Sequence, residues 1–515
     1  MREQAILSLF DATHQGGLMR NLYDFDISRF EKLLREKGED FWQREGQKKA
    51  LLLFHAVATR VPAYKDFLKK HRITPRKIRT IKDFKYLPPT DKKNYIGAYP
   101  LQERCWDGKV VEANLVAISS GTSGEPKFWP RGTFQEFEAT VLHELLYTFI
   151  FEIHRYKTLL VIGFPMGVYV SGVATLLPSW LVATKGYPLT MVSVGNNKTE
   201  ALRAIKHLQK DYEQIILVGH PFFIKDIIET GKEEGVRWSR TRLRMMFCSE
   251  GFNEVWRKYV VAETGAPFSW NSAINTYGSS ELLLMAHETP LSIFVRSAAE
   301  KDTTLRENLF ASALLPNLFQ YNPFLRYIES MHNELLFTSA SGLPLIRFNL
   351  HDSGQIISYR RIQTMMQEYH WNKKIKRDGI ASSWQLPFLT LWGRSDHTII
   401  FYAANIYPEH IHAALHRKPF LGKTTGRFLM RKDYRKNMDE FLEINIELRH
   451  NVKSHRTLAR AIQDQIVLKL EEINMEYLFL RNNLDKDLRP RVKLWPYQHK
   501  KYFRPGLKPK YILNA

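Results

Sequence analysis

Leu115-Val116-Ala117-Ile118-Ser119-Ser120-Gly121-Thr122-Ser123-Gly124-Glu125-Pro126-Lys127 is an apolar run that breaks into hydroxyls and glycines. Leu115 to Ile118 is strand-like, and the residues after Ile118 read as a loop. Glycines let backbone N–H groups approach phosphate oxygens closely. The hydroxyls of Ser119, Ser120, Thr122 and Ser123 add donors, and Lys127 adds a point charge. The Walker A pattern is absent, so this is not a P-loop. A polar turn between a strand and a helix would use the same residue types, so the loop alone leaves both readings open.

Working outward, short apolar runs alternate with helical patterns from 115 to 350. Leu159 to Phe164, Thr190 to Val194, Gln214 to Val218 and Arg244 to Cys248 are strand-like, with helical patterns at Thr199 to Gln209 and Pro221 to Glu234. That alternation predicts an α/β sheet buried on both faces. Upstream, residues 30 to 75 carry helical spacing, Pro88-Pro89 breaks the chain, and Thr90-Asp91 can cap a short helix through Lys92 and Lys93. Downstream of Gly393-Arg394 the character changes. Residues 397 to 515 hold 23 Lys and Arg against 12 Asp and Glu, half of the chain's net charge of +22. Strand, strand, a long helix over Val452 to Asn474 and a further strand predict a small α+β domain there.

The whole chain of 515 residues has the length of two or three units and an ordinary 44% hydrophobic content. Its positive charge suits nucleic acid, an anionic surface or phosphate-rich ligands, but no basic run is interleaved with aromatics as nucleic-acid modules require. Two cysteines, Cys105 and Cys248, give neither a disulfide framework nor a Cys-rich zinc site and predict a reducing, cytoplasmic setting. The N-terminus has no apolar signal-peptide core. Lys157 to Lys185 encloses no charge, yet Gly163, Pro165, Gly167, Gly172 and Pro178 interrupt it, which predicts a buried strand, a turn and a buried helix in place of a membrane span.

Three further motifs lie downstream of the loop. Asn275-Thr276-Tyr277-Gly278-Ser279-Ser280-Glu281 offers an aromatic face for adenine and an acid for Mg²⁺. In Pro344 to Gly354, Asp352 comes after an apolar strand and can accept two ribose hydroxyls. Gly393-Arg394-Ser395-Asp396, with Asn405-Ile406-Tyr407-Pro408 behind it, supplies a guanidinium for ribose or phosphate. Singly, each also fits a capped helix or a turn.

In this order and spacing the four motifs resemble those of the adenylate-forming superfamily of acyl-CoA synthetases, adenylation domains and luciferases, and most of all its phenylacetate–CoA ligase branch. Val61-Pro62-Ala63-Tyr64 through Leu87-Pro88-Pro89-Thr90-Asp91-Lys92 to Tyr99-Pro100 resembles that branch's N-terminal signature. The similarity covers residue 45 to the C-terminus.

The resemblance implies an α/β architecture of three parts: an unmatched helical segment 1–44, a large ATP- and acid-binding domain 45–394 with mixed sheets flanked by helices, and a small mobile α+β lid 395–515. It implies ATP-dependent conversion of an aromatic or small apolar carboxylic acid to an acyl-AMP, then transfer to a thiol. Coenzyme A is the first choice of acceptor; a carrier protein's phosphopantetheine or an amine are alternatives, as is an inactive relative serving as an assembly subunit. An acidic acyl carrier protein would suit the basic C-terminal region.

It assigns Ser119, Ser120, Gly121, Thr122, Ser123, Gly124 and Lys127 to the phosphates, Ser249, Glu250 and Gly251 to adenine, and Tyr277, with Gly278 and Ser280, to the adenine stack. Glu281 would bind Mg²⁺, Asp352 and Arg394 the ribose, and Asp396 would be the hinge. Gly167, Tyr169, His220, Phe222, Asn271 and Ile274 would wall the acid pocket. Lys508, or Lys510 beside it, would join Glu281 and Thr122 in catalysis. Two departures stand out: His351 precedes Asp352 where relatives carry Gly and is expected to crowd the ribose side, and Ala403-Ala404 stands where a Gly precedes Asn405.

Overall fold

A computed structural model describes residues 23–110, 115–119, 127–167, 170–312, 315–380, 384–394, 398–503 and 511–512. They fall into two compact units, a large one drawn from residues 23–119 and 128–392 and a small one drawn from Lys127 and residues 393–512.

In the large unit β1 (Leu115–Ser119) and β2 (Lys127–Arg131) form a two-stranded sheet. β3 (Thr158–Gly163), β4 (Leu189–Ser193), β5 (Gln214–Gly219), β6 (Arg242–Phe247) and β7 (Ala273–Ser279) run parallel in the spatial order β4-β3-β5-β6-β7. β8 (Leu283–His287) and β9 (Asn317–Gln320) turn the sheet antiparallel. With β10 (Tyr327–Met331), β11 (Glu334–Ser339), β12 (Leu345–Ile357) and β13 (Phe388–Arg394) they complete an 11-stranded mixed sheet. β3 and β5, Thr-Leu-Leu-Val-Ile-Gly and Gln-Ile-Ile-Leu-Val-Gly, are buried at every position. Such runs need cover on both faces, which the intervening helices give. Helix Lys198–Leu208 starts where the Asn197 side chain accepts the Glu200 N–H at 3.0 Å, and helix Pro221–Glu233 starts on proline.

The uncharged stretch before Lys185 is β3, a turn and the helix Val170–Ala183, which contains Pro178. Among the described residues no helix is long and apolar enough to cross a membrane.

The expected boundary at residue 44 is corrected. Glu39–Arg60 is one continuous helix, and it buries Trp42 together with Leu53 and Phe54 in the main core. Phe30 packs edge-on against Trp42 with ring centroids 5.7 Å apart, and the Trp384 indole donates to Glu31 at 2.9 Å. These residues join the large unit because their apolar faces have no other core to enter.

In the small unit β14 (Ile399–Phe401) and β15 (Ala404–Ile406) make a hairpin. Its two-residue turn, Tyr402-Ala403, has φ of +48° and +67°, so alanine holds a left-handed position that glycine usually fills. β16 (Thr424–Tyr434) and β17 (Glu440–Leu448) pair antiparallel, and β18 (Arg491–Trp495) joins β17 in parallel. The long helix expected over Val452 to Asn474 is present as Arg456–Ile473, and a further helix, Met475–Asn483, follows it. Asn474 ends the first and caps the second, its side chain accepting the Tyr477 N–H at 3.0 Å.

Candidate active site

The register of the parallel strands brings Gly163, Gly219, Phe247 and Asn275 level with one another. Beyond that line lie Phe164 to Gly167 after β3, His220 after β5 and Ser249 to Gly251 after β6. In open α/β sheets ligands bind outside the carboxyl ends of the strands.

The turn after β6 is held tightly. Ser249 has φ +75°, and a Cβ on Gly251 would overlap the Asn317 amide. The Asn275 amide donates to the Glu250 carbonyl at 3.1 Å, and the Thr276 hydroxyl donates to the Phe247 carbonyl at 2.7 Å. Behind them is a buried group of four charges. Arg257 forks onto Glu288 at 2.6 and 2.8 Å and onto Glu254 at 2.8 and 3.1 Å. Arg296 bonds Glu254 and the Phe252 carbonyl, each at 2.6 Å. Glu288 in turn accepts the Asn275 N–H at 2.7 Å. Burial works to raise the Glu254 carboxyl, but Arg257 and Arg296 outweigh it and hold it below the usual carboxylate range. Sequence reading misses this group. Its one local signal is the Glu254-to-Arg257 spacing on a single helix, and the rest is assembled by the fold.

Two predicted site residues far apart in sequence meet here. The Tyr277 hydroxyl donates to Asp352, which is 8% exposed. The Tyr277 ring, expected against adenine, is buried, lies nearly parallel to Phe319 at 5.8 Å and is tilted against Phe337 at 6.1 Å. His351 faces two carboxylates. With φ +61° its ring nitrogens lie toward Asp91 at 3.4 Å and Glu334 at 3.6 Å.

Glu281, just after β7, has its carboxylate buried with Lys92 Nζ 2.8 Å from Oε1, off the hydrogen-bonding direction. Asp91 caps the short helical turn that presents Lys92, its side chain accepting from Lys93 N and Asn94 N. Burial works to raise the Glu281 carboxyl, but Lys92, a backbone N–H and the Ser279 hydroxyl together hold it below its ordinary range. The described residues hold no group of three His, Cys, Asp or Glu that could cage a metal. The buried Glu281 carboxylate, whose Oε1 makes no aligned hydrogen bond beside the Lys92 ammonium, is an oxygen donor of the kind that Mg²⁺ takes. Gly278 is tight: a Cβ there would lie 2.8 Å from the Leu283 carbonyl. Ser280 is half-buried in the same turn.

On the other side of the strand ends, Gly167 takes φ +81° in an exposed turn. His220 is 7% exposed, with Phe164 edge-on at 5.1 Å and Phe222 parallel at 5.5 Å.

No family model matches this chain, and no curated protein does. The shared feature is the fold. A crystal structure of 2-hydroxyisobutyryl-CoA ligase in complex with 2-HIB-AMP and CoA, in the thioesterification state, superposes with a TM-score of 0.60 at 14% identity, over 91% of this chain and 89% of that one. An open conformation of the same ligase gives 0.51 at 14% identity, over 91% of each chain.

Two pocket assignments are corrected. Asn271 precedes β7, at the opposite end of the strands from His220, where its amide donates to the Ile150 carbonyl at 3.2 Å. Ile274 is wholly buried in the core with Ile162, Val218 and Met246. Lys127 opens β2 and Arg394 ends β13, both half-buried. Ser120, Gly121, Thr122, Ser123, Gly124, Tyr169, Asp396, Lys508 and Lys510 lie outside the described residues, as does the side chain of Ser119.

Proposed function

We propose that this protein activates a carboxylic acid as an acyl-AMP at the strand ends and passes the acyl group to the thiol of coenzyme A. One observation carries the reading: β7 and its adjoining turn tie together segments from three other parts of the sequence. Asn275 holds the Glu250 carbonyl, Tyr277 holds Asp352, and Glu281 faces Lys92. An adenine edge, a ribose and a phosphate chain need acceptors and charges along one line, and these residues provide them. The acyl-AMP and CoA named for the ligase that shares the fold support the same reading.

In the proposed reaction a substrate carboxylate oxygen attacks the α-phosphorus, the bond from that phosphorus to the bridging oxygen breaks, and pyrophosphate leaves. The thiol sulfur then bonds the acyl carbon and AMP leaves. A carboxylic acid with a pKa of about 4 is already ionised at pH 7, so no general base is required for the first step. What is required is positive charge beside two approaching anions. Lys92 stands at Glu281 for that purpose. Lys508 and the hydroxyls of Ser119 to Ser123 are proposed to join it. Mg²⁺, when bound, neutralises phosphate charge, and Glu281 would hold it. Asp352, oriented by Tyr277, takes the ribose hydroxyls in this scheme, Arg394 is its proposed companion, and Ser249 to Gly251 receive adenine. Asp396 is the proposed hinge.

The test is pyrophosphate release across a panel of carboxylic acids with ATP, with and without coenzyme A. Acid-dependent release with coenzyme A consumed supports the reading. Release without consumption moves the acceptor to a carrier-protein thiol or an amine. No release with any acid rejects adenylation.

A further inference from the structure

We propose that the acid side of this site selects carboxylic acids that carry their own hydrogen-bond donor, a hydroxyl or amino group, and that His220 Nδ1 accepts it. The inference rests on the adenylation reading above and names its substrate class.

His220 comes directly after β5 and stands across from Cys248, because Gly219 is level with Phe247 in the β5–β6 register. One imidazole nitrogen bonds the Cys248 backbone. Nδ1 has no partner among the described residues, so the bonded nitrogen is Nε2. A carbonyl only accepts, so Nε2 carries the proton and Nδ1 presents a bare lone pair. Burial drives the imidazole down to about 4, with the Cys248 bond a partial offset, so the ring is neutral at pH 7 and the assignment of its one proton holds.

Among the described residues the surroundings of Nδ1 offer no donor. Phe164 and Phe222 flank the ring, Pro221 has no N–H, and the His220 side chain makes no capping bond to the helix it precedes. Buried acceptors are almost always paired, and an exception calls for a physical cause. This exception lies at a strand carboxyl end, where ligands bind in such sheets. A substrate O–H or N–H completes the bond. A hydrocarbon acid of the same shape leaves the lone pair buried and unmade, which costs about 10- to 100-fold in affinity. Sites built around a hydrogen bond discriminate in this direction against analogues that lack the group.

The experiment measures acid-dependent pyrophosphate exchange with matched pairs: para-hydroxybenzoate against benzoate, para-hydroxyphenylacetate against phenylacetate, lactate against propionate. The wild type is expected to favour the donor-bearing member of at least one pair by about 10- to 100-fold in kcat/KM. His220→Phe keeps an aromatic ring and loses the acceptor, so that preference should fall to within about threefold, whereas His220→Gln keeps an acceptor and should retain part of it. Equal rates for every pair in the wild type would overturn the proposal, and so would a preference that survives in His220→Phe. Should His220→Phe fail to fold, the wild-type ratios and His220→Gln still decide. Exchange with no acid at all, in a wild type that binds ATP, rejects adenylation itself and is distinct from exchange without a donor preference.

Discussion

Beside β6 and β7 the strand ends are anchored by four buried charges, Glu254, Arg257, Glu288 and Arg296, tied through Asn275 into the turn that carries Glu250. Beside β3 and β5 the same line of strand ends is finished with aromatic rings and one imidazole nitrogen that lacks a partner among the described residues. The difference separates two tasks. A nucleotide is invariant and rewards acceptors fixed before it arrives, since preorganised dipoles cost no reorganisation. An acid varies, and an apolar wall with one open acceptor asks a single question of it.

The largest effect expected from breaking this contrast is in the charged group. Arg257→Met leaves Glu288 buried without its cation and removes one of the two guanidinium partners of Glu254. Stranding a buried charge costs about 3–5 kcal/mol. Urea unfolding measures it, and a loss below about 1 kcal/mol would mean that the group does not hold the turn.

A smaller effect sharpens the role of Tyr277. Tyr277→Phe keeps the ring and removes the hydroxyl that Asp352 accepts. Loss of a hydrogen bond to a charged group should raise the KM for ATP by about tenfold with kcat less affected. An unchanged KM would return the residue to a stacking role.

The smallest effect is in the pH dependence. His143 and His220 are buried with their imidazoles lowered to about 4, and His287 is lowered by burial as well. The unfolded chain takes up protons below about pH 6.5 that these folded imidazoles refuse. Their contribution is therefore complete above about pH 6.5 and is lost as pH falls toward about 4. His220→Phe should flatten the stability profile in that window by about 1.4 kcal/mol per pH unit and leave it unchanged above about pH 7. An unaltered slope would show that His220 is protonated in the folded protein.

Much of this is legible in the sequence where a local pattern carries it. The parallel strands announce themselves as unbroken apolar runs, and Asp91 ahead of Lys92 reads as a cap. Glu281 and Asp352 are singled out only by the order of the four motifs together, since each alone also fits a capped helix or a turn, and Asp352 lies within the long strand β12. What is hidden lies between elements. Tyr277 reads as an aromatic face for adenine, and only the fold shows Phe319 packed against its ring. Asn271 and Ile274 sit close to Asn275 in sequence, yet β7 carries them away from the crevice, because each residue along a strand advances about 3.3 Å. The end of the C-terminal helix at Asn474 is read from sequence, but the helix Met475–Asn483 that Asn474 caps is not, because a single Asn also fits a simple stop.

The most direct measurement is the crystal structure of the protein with a non-hydrolysable acyl-sulfamoyl adenosine. The account predicts adenine beside Ser249 to Gly251, ribose hydroxyls on Asp352, and the acyl group beside His220 at the ends of β3 and β5. Density for the analogue at the opposite ends of the strands, beside Asn271, would contradict it.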